Sequence, residues 1–67
     1  MNVETYAVTG MTCGHCEMSV QEEIAAIDGV TEVKADHTSG QVTVTSTEPL
    51  DPAAVAAAVD EAGYSLA

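Results

Sequence analysis

Apolar residues alternate or recur along the chain in ways that predict six elements. Residues 3–9, Val-Glu-Thr-Tyr-Ala-Val-Thr, are β-branched and aromatic, with Tyr6 and Val8 sharing one face at period two, and Gly10 closes this strand. Cys16, Val20, Ile24 and Ile27 then fall four, four and three apart, which is one stripe of a helix running from about Gly14 to Ile27, with Asp28-Gly29 as its stop. Val30–Asp36 and Gln41–Ser46 read as two strands joined by the hairpin His37-Thr38-Ser39-Gly40, with Val33, Ala35, Val42 and Val44 toward the core. Asp51 is placed to cap a second helix, Pro52 suits its first turn, and Ala53–Ala62 carries the stripe Val55, Val59 and Ala62 up to Gly63. Tyr64–Leu66 is long enough only for a short last strand. The order β-α-β-β-α-β predicts an α+β, ferredoxin-like open-faced sandwich: a four-stranded antiparallel sheet with two helices on one face, in a single domain spanning residues 1–67.

Composition narrows what such a domain can do. The bulky apolar residues are mainly nine Val, two Ile and two Leu, without Phe or Trp, so the core is thin and stability of only a few kcal/mol is expected. One Lys against eleven acidic residues leaves a net charge of −10. Such a surface repels phosphate backbones and anionic lipid, which removes nucleic acid and the membrane surface from the expected partners and leaves a basic protein surface or a cation. Adaptation to a salty cytoplasm would produce the same composition. Met1-Asn2-Val3-Glu4 lacks the character of a secretory signal, and no stretch approaches the roughly 18 apolar residues of a membrane span, so a cytoplasmic location is expected.

The only cysteines, Cys13 and Cys16, lie too close in sequence to staple distant segments, so they are expected to do chemistry. They sit in Gly10-Met11-Thr12-Cys13-Gly14-His15-Cys16, between a strand and the start of a helix. Free backbone N–H groups and the positive end of the helix dipole there favour thiolate. Two thiolates cannot complete the four-ligand shell of structural zinc, and no second Cys pair or suitably spaced His pair is present. A soft monovalent ion such as Cu(I) accepts few sulfur ligands, so a two-sulfur loop exposed at the surface suits it, and its open positions let an incoming thiolate bind before an outgoing one leaves.

The segment Gly-Met-Thr-Cys-Gly-His-Cys, followed by Val20, Ile24, Ile27 and Gly29-Val30, resembles the heavy-metal-associated (HMA) domain family, and the length together with Gly63-Tyr64 is similar to its bacterial cytosolic copper chaperones. The resemblance implies the same βαββαβ fold and a non-enzymatic function: Cu(I) held by Cys13 and Cys16, with Ag(I) as a surrogate, and passed to the metal-binding domain of a P-type copper ATPase. A copper-bridged homodimer is the other partner state. Thr12 before the first Cys resembles the copper-handling branch. Tyr64, by the same resemblance, lies beside the metal loop, its hydroxyl near a thiolate; the alternative is an ordinary core aromatic.

Neighbouring residues have plainer readings. Met11 carries a thioether but is expected to pack beneath the loop. His15, between the cysteines, is expected to face water and tune the site, third-ligand duty being the alternative. His37 reads as an exposed turn residue, and Glu17, Glu22 and Glu23 as a solvated helix face or a docking surface for a basic partner.

Two rival functions share this sequence. Cys-Gly-His-Cys is also a disulfide-isomerase active-site sequence, which would make the chain a thiol-disulfide oxidoreductase. Gly-Met-Thr in place of an aromatic residue before the pair, the short chain, and Pro49 and Pro52 at a helix entry argue against it. The other rival is an excised metal-binding domain of a copper ATPase, against which Met1 and the end just after the last strand point to a complete small protein.

Overall fold

Side-chain alternation decides which side of each strand meets a helix. A computed structural model describes all of residues 1–67 and holds β1 (Asn2–Thr9), α1 (Gly14–Ala25), β2 (Val30–Asp36), β3 (Gln41–Ser46), α2 (Pro52–Glu61) and β4 (Ser65–Leu66). The strands form one sheet in the order β2-β3-β1-β4, antiparallel throughout. Along β1, Tyr6 and Val8 turn toward the helices while Val3, Thr5, Ala7 and Thr9 face solvent. The ferredoxin-like arrangement expected from the element order is the one observed.

Val20 and Ile24 of α1, Val42 and Val44 of β3, and Val55 and Val59 of α2 form the fully buried centre. Ser46 continues the inward row of Val42 and Val44, and its hydroxyl is satisfied there by donating to the Glu48 carbonyl at 2.6 Å. No helix is long and apolar enough to cross a membrane.

Local chemistry accounts for the helix ends. Asp51 Oδ1 accepts the Ala53 N–H at 2.9 Å with Pro52 in the first turn of α2, as the sequence predicts. At the other end, Gly63 adopts φ +92°, its N–H reaching the Asp60 carbonyl and the next N–H, of Tyr64, reaching Val59. This is the paired bonding of a Schellman cap, and it fixes where the chain delivers Tyr64. Tyr64 therefore precedes β4, which is two residues long.

α1 ends at Ala25, short of the expected Ile27. The Ile27 N–H bonds the Ile24 carbonyl at 3.0 Å, a tightening to i→i−3, and Gly29 at φ +91° then turns the chain into β2. Ile27 is half-buried against the core from this turn instead of from the helix stripe.

The β2–β3 hairpin closes through Gly40 N–H to the Asp36 carbonyl at 2.9 Å, and the Val8 N–H bonds the Gly40 carbonyl at 2.7 Å. The hairpin tip is thereby tied to the end of β1, where the cysteine loop begins. Ile24 is solvent-free at the middle of this small core. Ile24→Ala is expected to cost about 3 kcal/mol, a large share of the stability such a domain has, read as a fall in the urea midpoint with the slope unchanged.

Candidate metal centre

The cysteine loop occupies residues 10–13, between the end of β1 and the start of α1. Gly10 adopts φ +95°, and a Cβ there would stand 3.0 Å from Tyr64 Cδ1. Both its backbone conformation and the Tyr64 ring beside it call for glycine. The β1–β4 register, Val8 opposite Leu66 and Thr9 opposite Ser65, brings the next residues, Gly10 and Tyr64, together. Met11 is buried in the core cluster, which accords with packing beneath the loop.

Cys13 is the N-cap of α1 in an extended conformation, and its carbonyl accepts N–H groups from Cys16 at 3.1 Å and Glu17 at 3.3 Å. That first turn swings Cys16 back beneath Cys13, leaving the two sulfurs 3.6 Å apart and unbonded. The pair is unequal in exposure. Cys13 is exposed, whereas Cys16 is buried at 9%. The expected pair of surface sulfurs is corrected accordingly: Cys16 begins the inward stripe that continues through Val20 and Ile24, so the helix period that shapes the core also turns this thiol inward.

Burial alone would keep Cys16 protonated, but its surroundings reverse that. Backbone N–H donation from Thr12, then the Tyr64 hydroxyl, the Cys13 backbone and the Thr12 hydroxyl outweigh desolvation and lower its pKa from 9.0 to about 6. Thr12 Oγ1 lies 3.8 Å from the sulfur. The Tyr64 hydroxyl is raised in turn, chiefly because it donates to Cys16. Near neutral pH this thiol is mostly thiolate, a soft anion at a helix N-terminus.

A metal bound by thiolates at roughly 2.3 Å can touch two sulfurs across 3.6 Å, its bonds meeting at about 100° and leaving one side open. The donor set suits a soft ion of low coordination number. His15 is exposed and does not join the sulfurs in a three-donor group within 4.8 Å. The site thus gathers Cys13, Cys16, Thr12 and Tyr64, rests on Met11, and leaves His15 at the rim.

Glu17 departs from the expected solvated face. It is half-buried, and its Oε2 accepts the His37 backbone N–H at 2.7 Å and lies 2.6 Å from His37 Nδ1, both of which hold its carboxyl below the usual range. Glu22 and Glu23 are exposed as expected. Asp36 joins Glu17 and His37 with donor atoms within 4.8 Å of one another, a proximity already explained by the hairpin's own bonding. The Glu17–His37 contact spans twenty residues and has no periodic signal in the sequence; the seat that Gly10 makes for Tyr64 likewise needs the strand register to be seen.

The heavy-metal-associated domain model matches residues 5–65. The copper chaperone CopZ of Staphylococcus aureus (strain bovine RF122 / ET3-1) is 43% identical over 44 residues, a stretch covering 66% of this chain and 65% of that protein, just under two thirds of its length. Among solved structures, a CopZ metallochaperone is similar with a TM-score of 0.91 and 31% identity, over 98% of this chain and 100% of that one. The Cu(I)-loaded N-terminal domain of a potential copper-translocating P-type ATPase from Bacillus subtilis is similar with a TM-score of 0.81 and 26% identity, over 96% of this chain and 81% of that one.

Donation to the Cys16 sulfur is open to direct titration. In the metal-free protein, thiolate ultraviolet absorbance followed against pH should show one thiol ionising with a midpoint near pH 6. Tyr64→Phe removes a donor to the thiolate and should move that midpoint upward, while Cys16→Ser should abolish the transition.

Proposed function

We propose that this chain, which belongs to the heavy-metal-associated domain family, is a copper chaperone in which residues 1–67 act as one metal-binding domain. Its cargo is Cu(I), taken between the sulfurs of Cys13 and Cys16, with Ag(I) able to stand in. The observation that carries the reading is the 3.6 Å sulfur pair with one exposed and one inward member. Cys16 anchors the ion as a thiolate held by backbone and hydroxyl donors; Cys13 presents it to the surface.

Transfer follows from the open side of such a site. A thiolate of the acceptor enters there, a three-sulfur arrangement forms, and the ion leaves as its bonds to Cys13 and Cys16 break, without passing through free solution. The acceptor we assign is the metal-binding domain of a P-type copper ATPase. The similarity to the domain of a potential copper-translocating ATPase supports it, because donor and acceptor would then offer matching loops. The same open position would accept a cysteine of a second copy, giving a copper-bridged homodimer. The cytoplasm is the proposed location. The similarity to copper chaperones and the ferredoxin-like element order favour carriage over thiol-disulfide catalysis.

Two measurements test this reading. Wild-type protein competing with a chromogenic chelator should take one equivalent of Cu(I) tightly, and Cys13→Ser combined with Cys16→Ser should lose it with far-ultraviolet dichroism unchanged; retained tight binding places the cargo elsewhere. With a net charge of −10, delivery to a basic acceptor domain should also slow as salt rises, and a salt-independent transfer rate removes charge from the docking step.

A further inference from the structure

β2 lies at an edge of the sheet, bonded only to β3. In an antiparallel ladder, residues alternate between bonding the neighbouring strand and turning N–H and C=O away from it. The Ala35 N–H belongs to the outward set, because it donates to Gln21 Oε1 of α1 at 2.9 Å. Val33 lies two residues earlier in the same outward set, and just past the end of β2 the His37 N–H donates to Glu17 Oε2 at 2.7 Å. These are the groups with which a free edge templates another strand.

The spacing of the two contacts has a geometric basis. Glu17 and Gln21 are four residues apart on α1, a rise of about 6 Å. Ala35 and His37 are two apart along the strand direction, an advance of about 6.6 Å. One face of the helix therefore meets two successive outward amides. At the start of β2 the register shifts between Val30 and Glu32, so the ladder is broken there by a bulge. The opposite edge, β4, is two residues long and offers little to pair with.

We propose that Glu17 and Gln21 form an edge guard, occupying the outward amides of Ala35 in β2 and of His37 just past its end, so that this edge, which also carries the charges of Glu32, Lys34 and Asp36, does not pair with the β2 strand of a second copy. The guard is independent of copper: it acts on the metal-free chain and leaves the cysteine loop as a separate face for association. Net charge of −10 also keeps copies apart, so the guard shows when salt screens that repulsion.

Residue-resolved amide exchange and sedimentation of the metal-free protein at high salt test it, using Gln21→Ala, Glu17→Ala, the double variant, and Glu22→Ala with Glu23→Ala as a control that removes exposed acids without touching β2. Gln21→Ala should speed exchange at Ala35 at least tenfold with a much smaller change at His37, and Glu17→Ala the reverse. The double variant should associate while wild type and control stay monomeric, with the Val33 amide gaining protection in the associated form. Should the double variant lose its far-ultraviolet dichroism, the single variants are expected to show the association in smaller proportion. Unchanged exchange at both amides, or monomeric behaviour with the amides freed, overturns the proposal.

Discussion

A thiolate set against the protein interior must find its solvation in the protein, and the groups gathered around Cys16 supply it. Water reaches Cys13, but Cys16 sits at the head of the core stripe, where an unsupported thiol would stay protonated. The amide of Thr12, the hydroxyl of Tyr64 and the backbone of Cys13 supply the missing stabilisation. Each comes from a different piece of architecture. Thr12 and Cys13 belong to the loop and the helix cap, while Tyr64 is delivered from the far end of the chain.

That delivery explains why a small core can hold a site in place. The Schellman cap at Gly63 sets the path of Tyr64, the β1–β4 pairing brings it opposite Gly10, and the missing side chain at Gly10 admits its ring. From below, Met11 joins the buried cluster and anchors the loop. From the side, the hairpin tip bonds the Val8 amide, and Glu17 ties the first turn of α1 to His37. The loop is thus held by backbone hydrogen bonds, the Tyr64 ring, the Glu17 carboxylate and one buried methionine, which demands little of a core built mainly from valine. Preorganisation would also suit the proposed chemistry: a loop already shaped for one soft ion would give up little conformational freedom on taking it.

What could be read from the sequence was whatever repeats or caps locally. Cys16, Val20 and Ile24 announce an inward helix face, Asp51-Pro52 announces a helix start, and Gly63 announces a helix end. The Cys16 stripe held more than was taken from it, since a residue in register with Val20 and Ile24 has to turn inward, and only the loop motif made it look exposed. Ile27 misled for the opposite reason: its spacing fits the helix, but the final turn tightens and Gly29 redirects the chain before the stripe can continue. Contacts that close over long separations left no periodic trace, and only the family resemblance set Tyr64 beside the loop. Glu17 with His37, Gly10 with Tyr64, and Ser46 in its buried niche depend on strand register and on which edge a helix covers, and neither has a period along the chain.

We propose that the inward thiolate and its exposed partner together hold a soft monovalent ion. X-ray absorption at the copper edge of the protein loaded with one equivalent of Cu(I) tests this most directly, because it counts the sulfurs and detects imidazole in the same spectrum. The expected first shell is sulfur alone, two or three atoms, with no histidine scattering. A shell dominated by nitrogen or oxygen would contradict it.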